Sequence, residues 1–349
     1  MTVLTADSWV ATDLGDPTKV LQRRSVEVRE PGPGEVRVKV AAFCVNLNDT
    51  DVVRGRYAIL PLTPPFTPGM ESVGVVESAG PGAEHLVGQR VMGIPVMAHG
   101  GFAQYAILDA ATTQVLPAWL SDAEAAAVHY PYHLGWFALV ERARIQPGET
   151  LLVHAAAGGN GSAAVQLGKA LGATVIATAG GPEKVEFARS LGADVVIDYL
   201  DGGFADQVDE ATFGHGVDVA YDTVGGTVTT ETFRCMGIHG RHLLVGYSQD
   251  IANDGAPVTT APAVYGNFSL YGVCLVYVDD PLGLRRTLGF NWPARSEGQH
   301  AHAKLLTMLR SGAIRTVVTE EISFDDLPAA MERQENRQTM GRVVVHVPQ

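Results

Sequence analysis

The sequence predicts a two-domain α/β protein in which a β-rich domain is joined to a doubly wound parallel sheet. Three observations point there. The length, 349 residues, is about twice a usual domain of ~150 residues. Valine-rich segments broken by Gly and Pro, with no helix between them, occupy residues 1–127, as in a mostly antiparallel β-domain. From residue 150 onward, buried-strand runs alternate with amphipathic helical segments, the grammar of a parallel sheet covered by helices.

Taken in order, VEVREPGPGEVRVKVAAFCVN alternates valine with charge, and its PGPG marks a tight turn. GMESVGVVESAGPGAEHLVGQRVMG repeats the pattern, and GFAQYAILDA follows. At residue 121 the character changes. Ser121 followed by Glu124 is a capping box that opens the alanine-rich helix SDAEAAAVHY. Next come the strand TLLVHAAA, the turn GGNG and the helix SAAVQLGKALG, then ATVIATAG, the helix PEKVEFARSLG and the strand ADVVIDY. GVDVAYDTVGG, RHLLVGYS and FSLYGVCLVYV read as further strands. After Asp280 the helix HAHAKLLTMLRSG ends on Gly312, and GRVVVHV is a last strand. The domains are therefore expected at 1–127 with 281–349, and at 128–280.

An apolar fraction of 46% against 18% charged residues excludes disorder and allows a large core. The net charge of −13 argues against nucleic acid or an anionic membrane as partner. Cys44, Cys235 and Cys274 form no CxxC pair, which fits a reducing compartment. The first residues, MTVLTADSWVATDLGD, carry no basic start and no apolar run, so no signal peptide is expected, and no stretch reaches 18 apolar residues. A cytoplasmic location is the expectation.

The strongest local signal is strand–AAAGGNG–helix. Ala156, Gly158 and Gly161 take the three small-residue positions of a dinucleotide fingerprint. Gly158 lets backbone approach a pyrophosphate, Gly161 lets helix and strand pack closely, and the helix start offers unpaired N–H groups. About 20 residues on, an NAD site usually supplies an acid for the ribose. Here ATAGGPEK has no acid at the strand tip, while Lys184 opens the next helix and Tyr199 ends the third strand. A lysine and a phenol suit a 2′-phosphate, so NADP(H) is favoured. No Cys/His cluster has zinc spacing. The pair at His300 and His302 is read as a solvated face, because alternate helix residues point apart.

Taken together, PGPGEVRVKV, VNLNDTDVVRGRY, PGMESVGVVESAG, VGQRVMG, GGFAQYA, AAAGGNG, LGADVVIDY, YDTVGG and MGRVVV, in that order, resemble the zinc-independent quinone oxidoreductases of the medium-chain dehydrogenase/reductase superfamily. The resemblance runs essentially end to end. It implies a GroES-like catalytic domain and a Rossmann domain, with nicotinamide and acceptor between them. Where zinc-dependent relatives place a ligand Cys and a ligand His, this chain has Asn46 and Met70. The implied chemistry is therefore hydride transfer from NADPH, without zinc, to a quinone or an α,β-unsaturated carbonyl. The resemblance makes Asn46 and Tyr57 the catalytic candidates. Asn46 is expected to hydrogen-bond the ribose or the acceptor oxygen, and Tyr57 to orient or protonate the acceptor. Asp49 is read as a helix cap. Cofactor contacts fall to Asn46, Ala157, Gly158, Gly159, Asn160, Gly161, Gly180, Lys184, Tyr199, Gly246, Ser248 and Arg337.

Three departures stand out. Asn160 replaces a usual Val, Leu134 stands where a Thr hydroxyl would face the cofactor, and Cys44 replaces a common Gly. Two other readings compete: an ene or enoyl reductase of 2-alkenals or 2-enoyl compounds, and a non-catalytic NADPH-binding redox sensor. An apolar edge strand is a hazard unless paired. A homodimer joined through the edge strand at 268–278 is expected.

Overall fold

The computed structural model describes residues 4–57, 59–249 and 258–349. The chain forms two compact units. One comprises residues 1–130, 276–302 and 318–349, and the other residues 131–275 and 303–317.

The first unit begins with an antiparallel pair, β1 (Thr5–Ala11) and β2 (Leu21–Glu27). Its main sheet contains β3 (Glu35–Cys44), β4 (Ser72–Ala79), β5 (Arg90–Gly93), β6 (Tyr105–Asp109) and β7 (Gln114–Val115). β3 is the central strand: it pairs antiparallel with β4 on one side and with β6 on the other. Its inward residues Val36, Val38, Val40 and Phe43 are fully buried with Phe102, Leu108 and Val345. The PGPG segment does make a turn, with Glu35 N bonded to Gly32 O at 3.0 Å. The strands it joins, however, enter different sheets. A second turn, at Gly80–Gly82, packs onto it. A Cβ on Gly80 would sit 1.8 Å from Gly32 O, so only glycine allows this approach.

The second unit holds β8 (Thr150–Val153), β9 (Thr174–Ala179), β10 (Val195–Asp198), β11 (Val217–Asp222), β12 (Met236–Leu244) and β13 (Ser269–Gly272). Their order is β10-β9-β8-β11-β12-β13, and every neighbouring pair is parallel. This is the doubly wound order of a Rossmann sheet. The expected capping box is present: Ser121 N donates to Glu124 Oε2 at 2.8 Å and Glu124 N to Ser121 Oγ at 3.2 Å.

Several expectations need correction. FSLYGVCLVYV yields only a four-residue strand, β13, and the chain passes to the first unit after Leu275. Residues 303–317 group with the second unit rather than with the C-terminal segment around them. The reason is local: Arg315 N donates to Gln166 Oε1 at 3.0 Å, and Arg315 O accepts from Tyr132 Oη. His302 is buried, its Nε2 lying 3.3 Å from Val115 O, so only His300 of that pair faces solvent. Two strands close the first unit. β14 (Val318–Ser323) runs parallel to β15 (Arg342–His346), and β15 pairs antiparallel with the end of β3.

Candidate functional site

Each unit carries part of the predicted chemistry. In the second unit, the chain leaves β8 through a turn that brings Ala155 to φ 50°, a left-handed value unusual for a residue with a Cβ. Gly158 caps the helix Gly159–Ala170. Gly161 is held to glycine by packing, because a Cβ there would lie 2.2 Å from Ala155 O and 2.7 Å from Ala156 Cα. Ala157 is buried, and Gly159 and Asn160 are half-buried on the first turn. The first N–H groups of that helix have no intrahelical partner, so the turn fits an anionic diphosphate.

The ends of the neighbouring strands complete this rim. Gly180 follows β9 and lies under the Tyr199 ring, whose Oη would be 2.5 Å from a Cβ on Gly180. Lys184 is half-buried on the first turn of the helix Pro182–Ser190. Asp198 is the nearby acid, and its carboxylate accepts from Gly181 N at 3.0 Å and from Leu200 N at 3.0 Å. It is committed to backbone. Gly246 and Ser248 follow β12, with their N–H groups bonded to Asp222 O (3.2 Å) and Thr223 O (3.2 Å). These segments all leave the carboxyl ends of parallel strands, where open α/β sheets bind ligands.

In the first unit, Asn46 stands at the N-cap of the helix Leu47–Val53. Its side chain is bonded at both ends: Nδ2 donates to Glu71 Oε1 (3.0 Å) and to Asp49 Oδ2 (3.2 Å), and Oδ1 accepts from Arg342 Nη1 (2.9 Å). Asp49 also accepts from Asn46 N at 3.2 Å, which is a capping role. Arg342 closes the ring with a second bond, to Glu71 Oε1. His129 Nδ1 lies 3.7 Å from Glu71 Oε2.

Glu71, Arg342, Asp49 and His129 are all buried. Burial, the largest influence, works to raise the Glu71 pKa, but the Arg342 charge together with His129 and the Asn46 hydrogen bond holds the carboxylate below its ordinary range. Asp49 has no cation of its own, and burial pushes it up to about 7 against the hydrogen bonds from Asn46. Cys44 is fully buried, and burial pushes its thiol up to about 12, so it is a packing residue rather than a thiolate.

Asn46 and Met70 offer no thiolate or imidazole, and both Asn46 Nδ2 hydrogens are already bonded. Among the described residues no three His, Cys, Asp or Glu side chains are arranged to hold a metal ion.

Tyr57 is half-buried, and Asn48 Nδ2 donates to its Oη at 3.3 Å. Arg337 is exposed just past the helix Leu327–Glu335, with φ 59°. Sequence reasoning passed over Glu71, Arg342, His129 and Asn48. The available signal was a charged residue inside the otherwise apolar PGMES and GRVVV segments.

Comparison with known proteins agrees with this layout. Residues 32–118 match the alcohol dehydrogenase GroES-like domain, and residues 159–283 match the zinc-binding dehydrogenase family. The chain is 34% identical over 271 residues to a mycocerosic acid synthase-like polyketide synthase of Mycobacterium tuberculosis. That match covers 77% of this chain but only 13% of the synthase. A 2-haloacrylate reductase of Burkholderia sp is 31% identical, with 92% of this chain and 93% of the reductase covered. Quinone oxidoreductase-like protein 2 of Rattus norvegicus is 38% identical over 68% of this chain and 67% of its own. Among solved structures, a mycobacterial protein complexed with NADPH superposes with a TM-score of 0.83 at 30% identity, covering 98% of this chain and 99% of that one. The JamJ enoyl reductase superposes with a TM-score of 0.82 at 26% identity, covering 99% and 100%.

Proposed function

The chain belongs to the medium-chain dehydrogenase/reductase superfamily, and on that premise we propose that it is an NADPH-dependent, zinc-free reductase of quinones or α,β-unsaturated carbonyls. The observation that carries the reading is the turn Ala155–Gly161, where a strained residue and a glycine that admits no Cβ hold backbone N–H groups together. Lys184 and Tyr199 favour the 2′-phosphate, and Asp198, committed to Gly181 and Leu200, does not compete for a ribose. A solved relative bound to NADPH supports the same cofactor.

NADPH, when bound, supplies a hydride. The protein's part is to hold the electron-poor carbon of the acceptor within reach of that hydride, and to meet the negative charge that develops on the acceptor oxygen. No zinc is needed, since a quinone or enone is already an electrophile and its reduction builds no alkoxide from a simple alcohol. The Asn46 amide, held by Arg342, Glu71 and Asp49, gives the helix that precedes Tyr57 a fixed start. Tyr57 orients the acceptor and gives a proton to it.

The enoyl-reductase reading has its own support in the polyketide synthase relatives and in JamJ. It uses the same residues and differs in which acceptor fits and in how far it depends on a proton from Tyr57. The test is to mix the protein with NADPH and, in parallel, a small quinone, a 2-alkenal and a 2-enoyl thioester, and to follow loss of reduced-nicotinamide absorbance. Turnover with at least one acceptor, faster with NADPH than with NADH, is expected. Bound NADPH with no turnover on any of them defeats the reaction and leaves the redox-sensor reading standing.

A further inference from the structure

Asn48, the second residue of the helix Leu47–Val53, turns its amide toward the phenol of Tyr57, with Nδ2 donating to Oη at 3.3 Å. Both ends of this bond are held from behind. The helix start is fixed by Asn46, Asp49, Glu71 and Arg342. The segment leading into Tyr57 is clamped by two guanidinium groups. Arg54 Nε bonds Glu335 Oε2 at 2.9 Å, while Arg56 bonds Glu335 Oε1 at 2.8 Å and Asp51 Oδ1 at 2.6 Å. Backbone closes the same bend: Arg56 N bonds Asp51 O at 3.0 Å, and Leu60 N bonds Tyr57 O at 3.1 Å.

A hydroxyl has one hydrogen to give and two lone pairs to receive with. With Asn48 on a lone pair, the Oη hydrogen is not the one that makes this bond. When that hydrogen leaves, the phenolate meets an N–H already in place. We propose that Asn48 is a positioning residue for proton delivery by Tyr57: its bond to Oη sets the direction of the phenolic hydrogen and stabilises the oxygen left behind. The inference rests on the reading of this chain as an NADPH-dependent enone reductase.

The step balances. The β-carbon of the enone receives hydride from NADPH, and the C=C π pair becomes an enolate. The α-carbon then takes the proton as the Tyr57 O–H bond breaks, and water returns a proton to the phenolate. A quinone depends on this less, because its reduced oxygens take protons readily from water. Asn48 therefore bears on which acceptor class the site serves.

The test uses the full chain with Asn48→Leu, Asn48→Asp and Tyr57→Phe, and two readouts. One is the titration of the Tyr57 phenol by NMR of carbon-13 tyrosine-labelled protein, assigned by the resonance lost in Tyr57→Phe. The other is the rate of enone and of quinone reduction against pH. Asn48→Leu is expected to raise the Tyr57 titration midpoint and to lower the enone-to-quinone rate ratio about tenfold, mainly through kcat. Asn48→Asp can only accept, so it recaptures the phenolic hydrogen and moves both readouts further. Asn48→Ser carries the measurement if the leucine variant does not fold. Unchanged Tyr57 titration in these variants, or enone and quinone rates that fall in step, overturns the assignment. Failure of the wild-type chain to reduce any acceptor strikes the functional reading alone, since the titration needs no substrate.

Discussion

Thr232 Oγ gives its hydrogen to Val228 O at 2.6 Å, so the 2.8 Å contact it shares with His154 Nε2 is donated by the ring. His154 Nδ1 is then the acceptor for Thr178 Oγ at 3.0 Å, and the imidazole is neutral. Burial agrees, pushing its pKa down to about 4. The sign follows. Above the unfolded value of about 6.5 neither state holds the proton; below it the unfolded chain binds a proton that the folded chain refuses, so stability falls until about pH 4. The slope for one such group is at most about 1.4 kcal/mol per pH unit. Denaturant titrations of wild type and His154→Asn between about pH 7 and pH 4 check this; the variant is expected to lose less stability across that window. The Arg342–Glu71 pair behaves differently. Arg342→Met strands a buried carboxylate and is expected to destabilise the protein by about 3–5 kcal/mol. Adding Glu71→Gln should recover part of that loss, and a double variant no more stable than the single one would contradict the pairing.

At the scale of elements, the glycine turn was legible because its physics is local. Strand, small residues and helix follow one another in sequence, and the expectation for Ala156, Gly158 and Gly161 needed nothing distant. Gly161→Ala places a methyl 2.2 Å from Ala155 O, so it is expected to reduce NADPH affinity by at least tenfold and to lower Tm. Isothermal titration and thermal melts measure both, and wild-type affinity would show that the turn yields. The capping box at Ser121 was equally local. The network on Asn46 was not legible. Its members come from positions 46, 49, 71 and 342, and no periodicity connects a lone Arg before a valine run to a Glu after PGM. The same limit explains β13. Apolar character alone suggested a strand through residue 278, whereas the parallel partner β12 is matched only through Gly272.

For the whole molecule, the edge position of β13 carries the expectation of self-association. Val264 and Tyr265 are exposed on the helix Ala261–Gly266 just before it, an apolar pair beside an open strand edge. A two-fold dimer through these edges is expected in sedimentation at micromolar concentration, with Tyr265→Glu shifting it toward monomer. A monomeric wild type would refute it. The net charge of −13 predicts no retention on heparin or phosphate-bearing resins beyond what bound nucleotide competes for. No described helix is long and apolar enough to cross a membrane.

One strand sets the timetable of synthesis. β15 supplies the neighbour that the last residues of β3 need, Val344 lying opposite Cys44, and it also brings in the cation for Glu71. A ribosome releases the continuous stretch 131–275 of the second unit well before residue 342 emerges. The nascent first unit must therefore wait with the last residues of its central strand bare on one side and an acid unanswered in its interior, a state open to chaperones and to mispairing. A stop codon shortly before residue 342 would leave that wait without an end.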